Sequence, residues 1–280
     1  MGMVGDNGIT VPDDREFRLF QRMLLERLGI HLPDQKKALV SHRLWKRLQA
    51  RHLSRFSDYY KLINQPDEQQ ELNKVLELLT TNETYFFREP RHFEFLREQI
   101  LPKLDAQRML RIWSAASSSG EEPYSIGMLL ADRRSGPWEL VASDVNQSML
   151  DKARRAIYRD ERTDQIPKDY RQRFCRKGTG PYAGCLRIAP ELRQRVQFRQ
   201  VNLNKTLPEM GRFDVVFLRN VMIYFDEATK REVLGRVSRV LQPQGWLFVG
   251  HSESLHGLDT HFQSLAPAIY QLSGGGRAEH

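Results

Sequence analysis

From Arg15 to Leu79 apolar residues return at helical intervals: Phe17, Phe20, Met23 and Leu24, then Leu39, Leu44 and Leu48, and later Leu72, Val75, Leu76 and Leu79. Spacings of three and four put such residues on one helix face, where they can share a core. Gly29 and Pro33, and again Gln65-Pro66, interrupt the pattern. A small all-helical domain is therefore expected over residues 1–80. After Pro102 the period changes. Short runs rich in β-branched and aromatic residues alternate with helical ones: MLRIW then PYSIGMLLAD, WELVAS then QSMLDKARRAIY, VQFRQV, FDVVFL then EATKREVLGRVSRVL, GWLFVG and AIYQL. Alternation of this kind predicts an α/β fold, a mostly parallel, doubly wound sheet with helices on both faces.

The sheet domain is expected over 102–275, joined to the helices by a linker over 81–101. Between a helix ending near Tyr158 and the strand VQFRQV lie some forty residues (about 159–195) where a doubly wound fold needs only a short connection. That stretch reads as an insertion. Its centre, GTGPYAG (Gly178 to Gly184), is turn chemistry flanked by residues able to pair, which predicts a small antiparallel β-subdomain.

The stretch SAASSSGEEPYS, Ser114 to Ser125, follows the first strand and opens the first helix of the sheet domain, the position where α/β folds hold ligands. A phosphate loop offers glycines and bare amides; this one has a single glycine, Gly120, followed by Glu121 and Glu122. Against a pyrophosphate those carboxylates would cost on the order of a few kcal/mol at ~4 Å. A ligand with a positive centre and sugar hydroxyls but no phosphate suits them, and S-adenosylmethionine has a sulfonium, an ammonium and a ribose. Asp144 ends the second strand, where an acid accepts hydrogen bonds from ribose hydroxyls. The simpler alternative is that Glu121 and Glu122 charge the first turn of a helix and Asp144 caps the next one.

The third strand end reads LRNVMIYF, Leu218 to Phe225. It lacks the Pro-Pro-aromatic turn with which amine methyltransferases grip an amino group. Arg219 offers a cation and Asn220 an amide at the mouth of the site, a match to a carboxylate acceptor, unless Arg219 serves in a surface ion pair.

Composition narrows the rest. Of 280 residues, 43 are Lys or Arg and 35 Asp or Glu, a formal charge of +8 that favours an acidic partner without choosing among kinds. The only cysteines, Cys175 and Cys185, have neither CxxC spacing nor histidine nearby at metal spacing, so two reduced thiols and no metal site are expected. The apolar runs are too short to span a bilayer, and the amino terminus lacks the order of a signal peptide, which makes a cytoplasmic location the expectation.

Taken together, TTNETYFFREPRHFEFL, SAASSSGEEPYSIGMLLAD, SDVNQSMLDKARRAIY, VNL and FLRNVMIYFD closely resemble the CheR family of chemotaxis receptor methyltransferases, in order and over nearly the whole chain to GHSESL. The resemblance implies a class I S-adenosylmethionine-dependent methyltransferase domain with a small β-subdomain, behind a helical domain. It implies methylation of glutamate side chains on the cytoplasmic domains of chemoreceptors, giving γ-carboxyl methyl esters, with recruitment to membrane receptor arrays. Matched by motif, cofactor contacts fall on Asn82, Thr84, Arg88, Glu122, Asp144, Asn202, Leu203, Arg219 and Asn220; Asn82, Thr84 and Arg88 rest on the resemblance alone.

A glutamate is already ionised at neutral pH, so attack on a methyl carbon needs no general base. Arg88 or Arg219 is expected to steer the carboxylate, with Arg88 and Tyr224 as the catalytic pair. Two surfaces are candidates for receptor recognition. Arg43, Arg47 and Arg51 recur every four residues beside Lys46, a run of like charge that an acidic partner would relieve; a solvated basic face is the alternative. The second is the insertion, whose GTGPYAG, Gly178 to Gly184, resembles the β-subdomain of those family members that dock a short peptide from the receptor carboxyl terminus. No nucleic-acid partner and no direct membrane insertion are expected. The competing functions are an RNA or protein amine methyltransferase and a catalytically weak cofactor-binding receptor adaptor.

Overall fold

The computed structural model describes residues 11–258 and 260–273. They form two compact units, one reaching to Thr81 and taking in Tyr224–Thr229, the other comprising Asn82–Ile223 and the chain from Lys230 onward.

The first unit holds α1 (Asp14–Leu28), α2 (Lys37–Ala50), α3 (Phe56–Ile63) and α4 (Gln69–Leu79). Asp13 and Glu16 make a reciprocal capping box at the start of α1, and Gly29, at φ 72°, closes its end in the left-handed region that a residue with a Cβ resists. Most residues that set the helical period are buried, namely Phe17, Phe20, Met23, Leu24, Leu44, Leu48, Leu72, Val75 and Leu79, whereas Leu39 and Leu76 are half-buried.

The four arginine-face residues are placed differently from expectation. Arg43 donates to the carbonyls of Leu78, Leu79 and Thr80, closing the carboxyl end of α4. Arg47 forks onto Glu71 through Nε at 2.9 Å and through Nη2, and Arg51 pairs with Glu68 at 2.7 Å and Glu71 at 3.2 Å. Tyr59, fully buried, donates to the same Glu71 carboxylate at 2.5 Å. The repulsion between arginines one turn apart is thus offset inside the domain by Glu71 and Glu68. Only Lys46 of the four stays exposed.

In the second unit α5 (Pro90–Phe95) precedes β1 (Leu110–Ala115), α6 (Glu121–Arg133), β2 (Trp138–Asp144) and α7 (Gln147–Arg155). The insertion contributes β3 (Ile157–Arg159), α8 (Lys168–Phe174), β4 (Cys175–Lys177), β5 (Cys185–Ile188) and α9 (Pro190–Arg193). Then come β6 (Val196–Gln200), β7 (Phe213–Leu218), α10 (Glu227–Val240), β8 (Leu241–Val249), β9 (Phe262–Ala266) and β10 (Ile269–Leu272). The large sheet has the order β6-β2-β1-β7-β8-β10-β9; its first five strands run parallel, and β10 lies antiparallel to both β8 and β9. Strand order reverses between β1 and β7, the switch point where the carboxyl ends of strands open a crevice.

Three features depart from the sequence pattern. The stretch read as a linker packs Phe86, Phe93, Leu96 and Ile100 into the sheet domain's core, beside Phe217 and Phe248, which stack 4.6 Å apart. The helix expected to end near Tyr158 stops at Arg155, because Ala156 turns left-handed at φ 53° and Ile157–Arg159 joins β5 and β4 in a separate three-stranded antiparallel sheet. And β9 went unread: FQSLA buries none of its residues fully, so the strand has no inward apolar row to detect.

Candidate active site

The turn after β1 is built from small residues because neighbours crowd it. Ala116 and Ser118 take positive φ, and a Cβ on Gly120, itself at φ 96°, would lie 2.8 Å from Ala153 Cβ and 3.0 Å from the Tyr158 hydroxyl. That hydroxyl donates to the Ser119 carbonyl at 2.8 Å, and Tyr124 donates to the Ala153 carbonyl at 2.9 Å. Tyr158 therefore holds the turn itself, and Tyr124 ties α6 to α7 behind it.

Three of its amides are already used. Ser117 N–H donates to the Ser143 carbonyl, Gly120 N–H to the Ser117 carbonyl, and Ser118 N–H to Asp144 Oδ2 at 2.8 Å. A cradle of free amides for a phosphate is not what this turn presents. Asp144, almost wholly buried, also accepts from Asn146 N–H at 2.8 Å through Oδ1. Each oxygen keeps lone-pair capacity for a further donor such as a ribose hydroxyl. Burial pushes its pKa up against the pull of those amides, so a hydroxyl donor would favour the ionised form.

Glu121 and Glu122 are the first two residues of α6, with Gly120 as N-cap, so helix charge and site chemistry coincide here. Glu121 turns inward, accepts from Ser119 Oγ at 2.7 Å and pairs with Arg162 at 3.0 Å. Glu122 accepts from Ser114 Oγ at 2.7 Å and from Arg219 Nη1 at 2.9 Å. Burial raises its pKa despite the guanidinium beside it.

Arg219 corrects an expectation. Its side chain is buried, not open at a mouth, and three groups hold it: Glu122, Glu89 at 3.0 Å and the Arg88 carbonyl at 2.5 Å. Burial alone would raise the Glu89 carboxyl, but the Arg219 charge and hydrogen bond outweigh it and hold the group below its ordinary value. Asn220, at φ 57°, gives its side-chain amide to Glu89 at 3.3 Å.

The loop before α5 is fastened to this cluster. The Asn82 carbonyl accepts from Ser118 Oγ at 3.3 Å and the Thr84 carbonyl from Arg162 at 2.9 Å. Arg88 donates to the Glu83 carbonyl at 2.9 Å and lies over the Tyr85 ring at 5.5 Å. Among the described residues its guanidinium meets no carboxylate. Beyond β6, Val201 N–H donates to the Asp144 carbonyl, which brings Asn202 and the buried Leu203 to the same strand ends. Tyr224 ends the 3-10 turn Met222–Tyr224 and belongs to the helical unit, where its carbonyl accepts from His31 N–H at 2.7 Å.

Sequence reasoning singled out neither Glu89 nor Glu253. Glu253 accepts from the N–H groups of Gly250, Asn220 and Ile223 at 2.6, 2.8 and 3.1 Å and so fixes the turn after β7. Both lie inside motifs already noted, FREP and GHSES, but nothing in spacing marks an acid most of whose partners are 30 or more residues away. Carboxyl groups and consumed amides at these strand ends fit S-adenosylmethionine and disfavour a phosphate-bearing nucleotide.

Comparison with known proteins agrees. The model of the CheR methyltransferase SAM-binding domain matches residues 82–270 and that of the CheR methyltransferase all-alpha domain matches residues 15–80. A chemotaxis protein methyltransferase of Escherichia coli strain K12 is 40% identical over 266 residues, covering 93% of this chain and 91% of that protein. Chemotaxis protein methyltransferase 2 of Pseudomonas aeruginosa is 40% identical over 259 residues, covering 91% and 92%. Among solved structures, the glycopeptide N-methyltransferase MtfA with S-adenosylmethionine is 18% identical, with a TM-score of 0.37 over 69% of this chain and 70% of that one. On the strength of both domain matches and the near full-length identity, the chain belongs to the CheR methyltransferase family and is an S-adenosylmethionine-dependent methyltransferase.

Proposed function

We propose that this enzyme methylates glutamate side chains in the cytoplasmic domains of chemoreceptors, forming γ-carboxyl methyl esters that serve sensory adaptation. S-adenosylmethionine supplies an electrophilic methyl group on a sulfonium, and the acceptor is a carboxylate that is ionised at neutral pH. The new C–O bond replaces the C–S bond, the electron pair passes to sulfur, and opposite charges vanish together; no proton needs a home. That accounts for a site without a nucleophile and base in contact.

The observation that carries the reading is the division of labour between two arginines. Arg219 is consumed by Glu122 and Glu89, whereas Arg88 has no carboxylate partner among the described residues and projects from the loop that lines the strand ends. Arg88 is the cation available to orient an acceptor carboxylate, through charge-assisted hydrogen bonds that position it more than they neutralise it. Asp144 would hold the ribose, and Glu122, Asn82, Thr84, Asn202, Leu203, Arg219 and Asn220 the remainder of the cofactor site. Tyr224 joins Arg88 as a catalytic candidate by its motif.

Receptor recognition falls to the β-subdomain in this reading. The turn from Gly178 to Gly184 carries Tyr182, 56% exposed, between Gly180 and Gly184 at positive φ. Tethering a receptor tail there would raise the local concentration of methylation sites. No helix among the described residues is long and apolar enough to cross a membrane, so presence at receptor arrays would depend on such docking.

The test is transfer of radiolabelled methyl from S-adenosylmethionine to a receptor cytoplasmic fragment, with RNA and a basic protein in parallel, followed by mild alkali. Label released as methanol from the receptor alone is expected. Alkali-stable label, or label on RNA, would overturn the carboxylate assignment, and cofactor binding without transfer would leave an adaptor.

A further inference from the structure

We propose that Glu89, His92 and His251 form a binding site for one borderline transition-metal dication, zinc or a first-row neighbour, at the edge of the Arg219 cluster. Glu89 is the N-cap of α5 and His92 lies three residues on; His251 comes from the turn after β8. Glu89 Oε2 is the shared centre, 3.4 Å from His92 Nδ1 and 3.9 Å from His251 Nε2, and one ligand atom from each residue lies within 4.8 Å of the others. Tetrahedral zinc holds nitrogen and oxygen ligands roughly 3.3 Å apart, so closing the set takes shifts of about an ångström.

A second observation points the same way. His92 is fully buried, and neither of its ring nitrogens has a hydrogen-bond partner among the described residues. A buried imidazole without partners is costly, and such orphans call for an unseen occupant or a chemical role. The surroundings also steer the carboxylate: Glu89 Oε1 accepts from His251 N–H at 3.2 Å and from Asn220 Nδ2 at 3.3 Å, which turns Oε2 toward the imidazoles and Arg219.

The local balance of charge tolerates a dication. Two carboxyl groups, Glu89 and Glu122, share a single guanidinium, Arg219, and a third, Glu253, accepts from the adjoining Asn220 N–H. Two imidazoles and one carboxylate with a fourth position left to water is a zinc-type set and a poor one for magnesium or calcium. Because Arg219 uses the same Oε2 at 3.0 Å, metal and guanidinium would share or contest that atom. Occupancy would act on the cluster as a brake; the methyl transfer itself needs no metal.

Calorimetric titration of zinc into the full chain at neutral pH tests this, with cobalt as a spectroscopic stand-in. One zinc per chain is expected, together with the visible bands of four- or five-coordinate cobalt. His251→Gln, whose parent side chain is 47% exposed and so is not needed for folding, should weaken zinc by roughly tenfold or more and abolish the cobalt bands without moving the unfolding midpoint. His42→Gln, which removes an exposed imidazole of the helical domain, should change neither readout. Unsaturable binding, wild-type affinity in His251→Gln, or equal loss in His42→Gln would overturn the proposal. These readouts need no turnover, so they stand apart from the test of carboxyl methylation.

Discussion

The helical unit and the sheet unit each bury a cluster of arginine and glutamate, and the two are built inside out from one another. In the helices a buried anion, Glu71, is surrounded by Arg47, Arg51 and Tyr59. In the sheet domain a buried cation, Arg219, is surrounded by Glu122, Glu89 and a carbonyl. The first is closed: both oxygens of Glu71 are occupied and the cations reach out to solvent. The second is unfinished, since Arg219 Nε and both nitrogens of His92 have no partner among the described residues. A fully satisfied polar network rigidifies a core, whereas leftover valences mark a place where something else is to bind. Composition shows the arginine-rich helix as a row of like charge; connectivity shows that Glu71 and Glu68 already pair with it.

The strongest challenge to this contrast is Arg219→Met. Leaving Glu122 and Glu89 as unpaired buried carboxyls should cost about 3–5 kcal/mol in urea unfolding and abolish binding of S-adenosylhomocysteine. Arg47→Met should cost clearly less, because Glu71 retains Arg51 and Tyr59; equal losses would erase the distinction between the clusters. Acid sharpens it next. Hydrogen bonding to Arg47 holds the Glu71 pKa down to about 2 from an ordinary 4.5. A carboxyl depressed in the folded state stabilises above pH 4.5 and loses that contribution as pH falls toward 2. On the order of 3 kcal/mol should therefore disappear across that window, read by hydrogen exchange in α2 and α4, and Glu71→Gln should remove the slope. Arg88→Ala should lower kcat on the order of 100-fold with cofactor affinity changed far less, since its charge is not committed to a neighbouring acid. Arg51→Met should be mildest, the smallest shift of the urea midpoint in the set, because its side chain is 35% exposed and solvent screens its pairs.

Legibility followed the range of the interactions. Helical and strand periods are local, so α1, α2, α4 and the parallel strands could be read directly, whereas the eight-residue α3 was too short to set a period of its own. Glu122 and Asp144 were also readable, because a strand-to-helix turn gives an acid an unusual context. Arg219 was legible in position but not in state: its partners Glu89 and Glu122 are 130 and 97 residues away. The same holds for Glu71, whose distance from Arg47 hid the reason four basic residues can share one face. Asn82, Thr84 and Arg88 came from resemblance, since a loop fastened by backbone carbonyls leaves no periodic trace.

Tyr158 has a further consequence for exchanging parts between relatives. It lies in the first strand of the β-subdomain, yet its hydroxyl both bonds Ser119 and sits 3.0 Å from where a side chain on Gly120 would begin. The subdomain is thus not a detachable cartridge. A chimaera spliced before Ile157 would bring a foreign residue against Gly120 and disturb the cofactor turn along with the docking turn. One spliced after Arg159 would retain the native tyrosine and exchange recognition by itself, so two grafts differing by three residues should separate cofactor affinity from receptor choice.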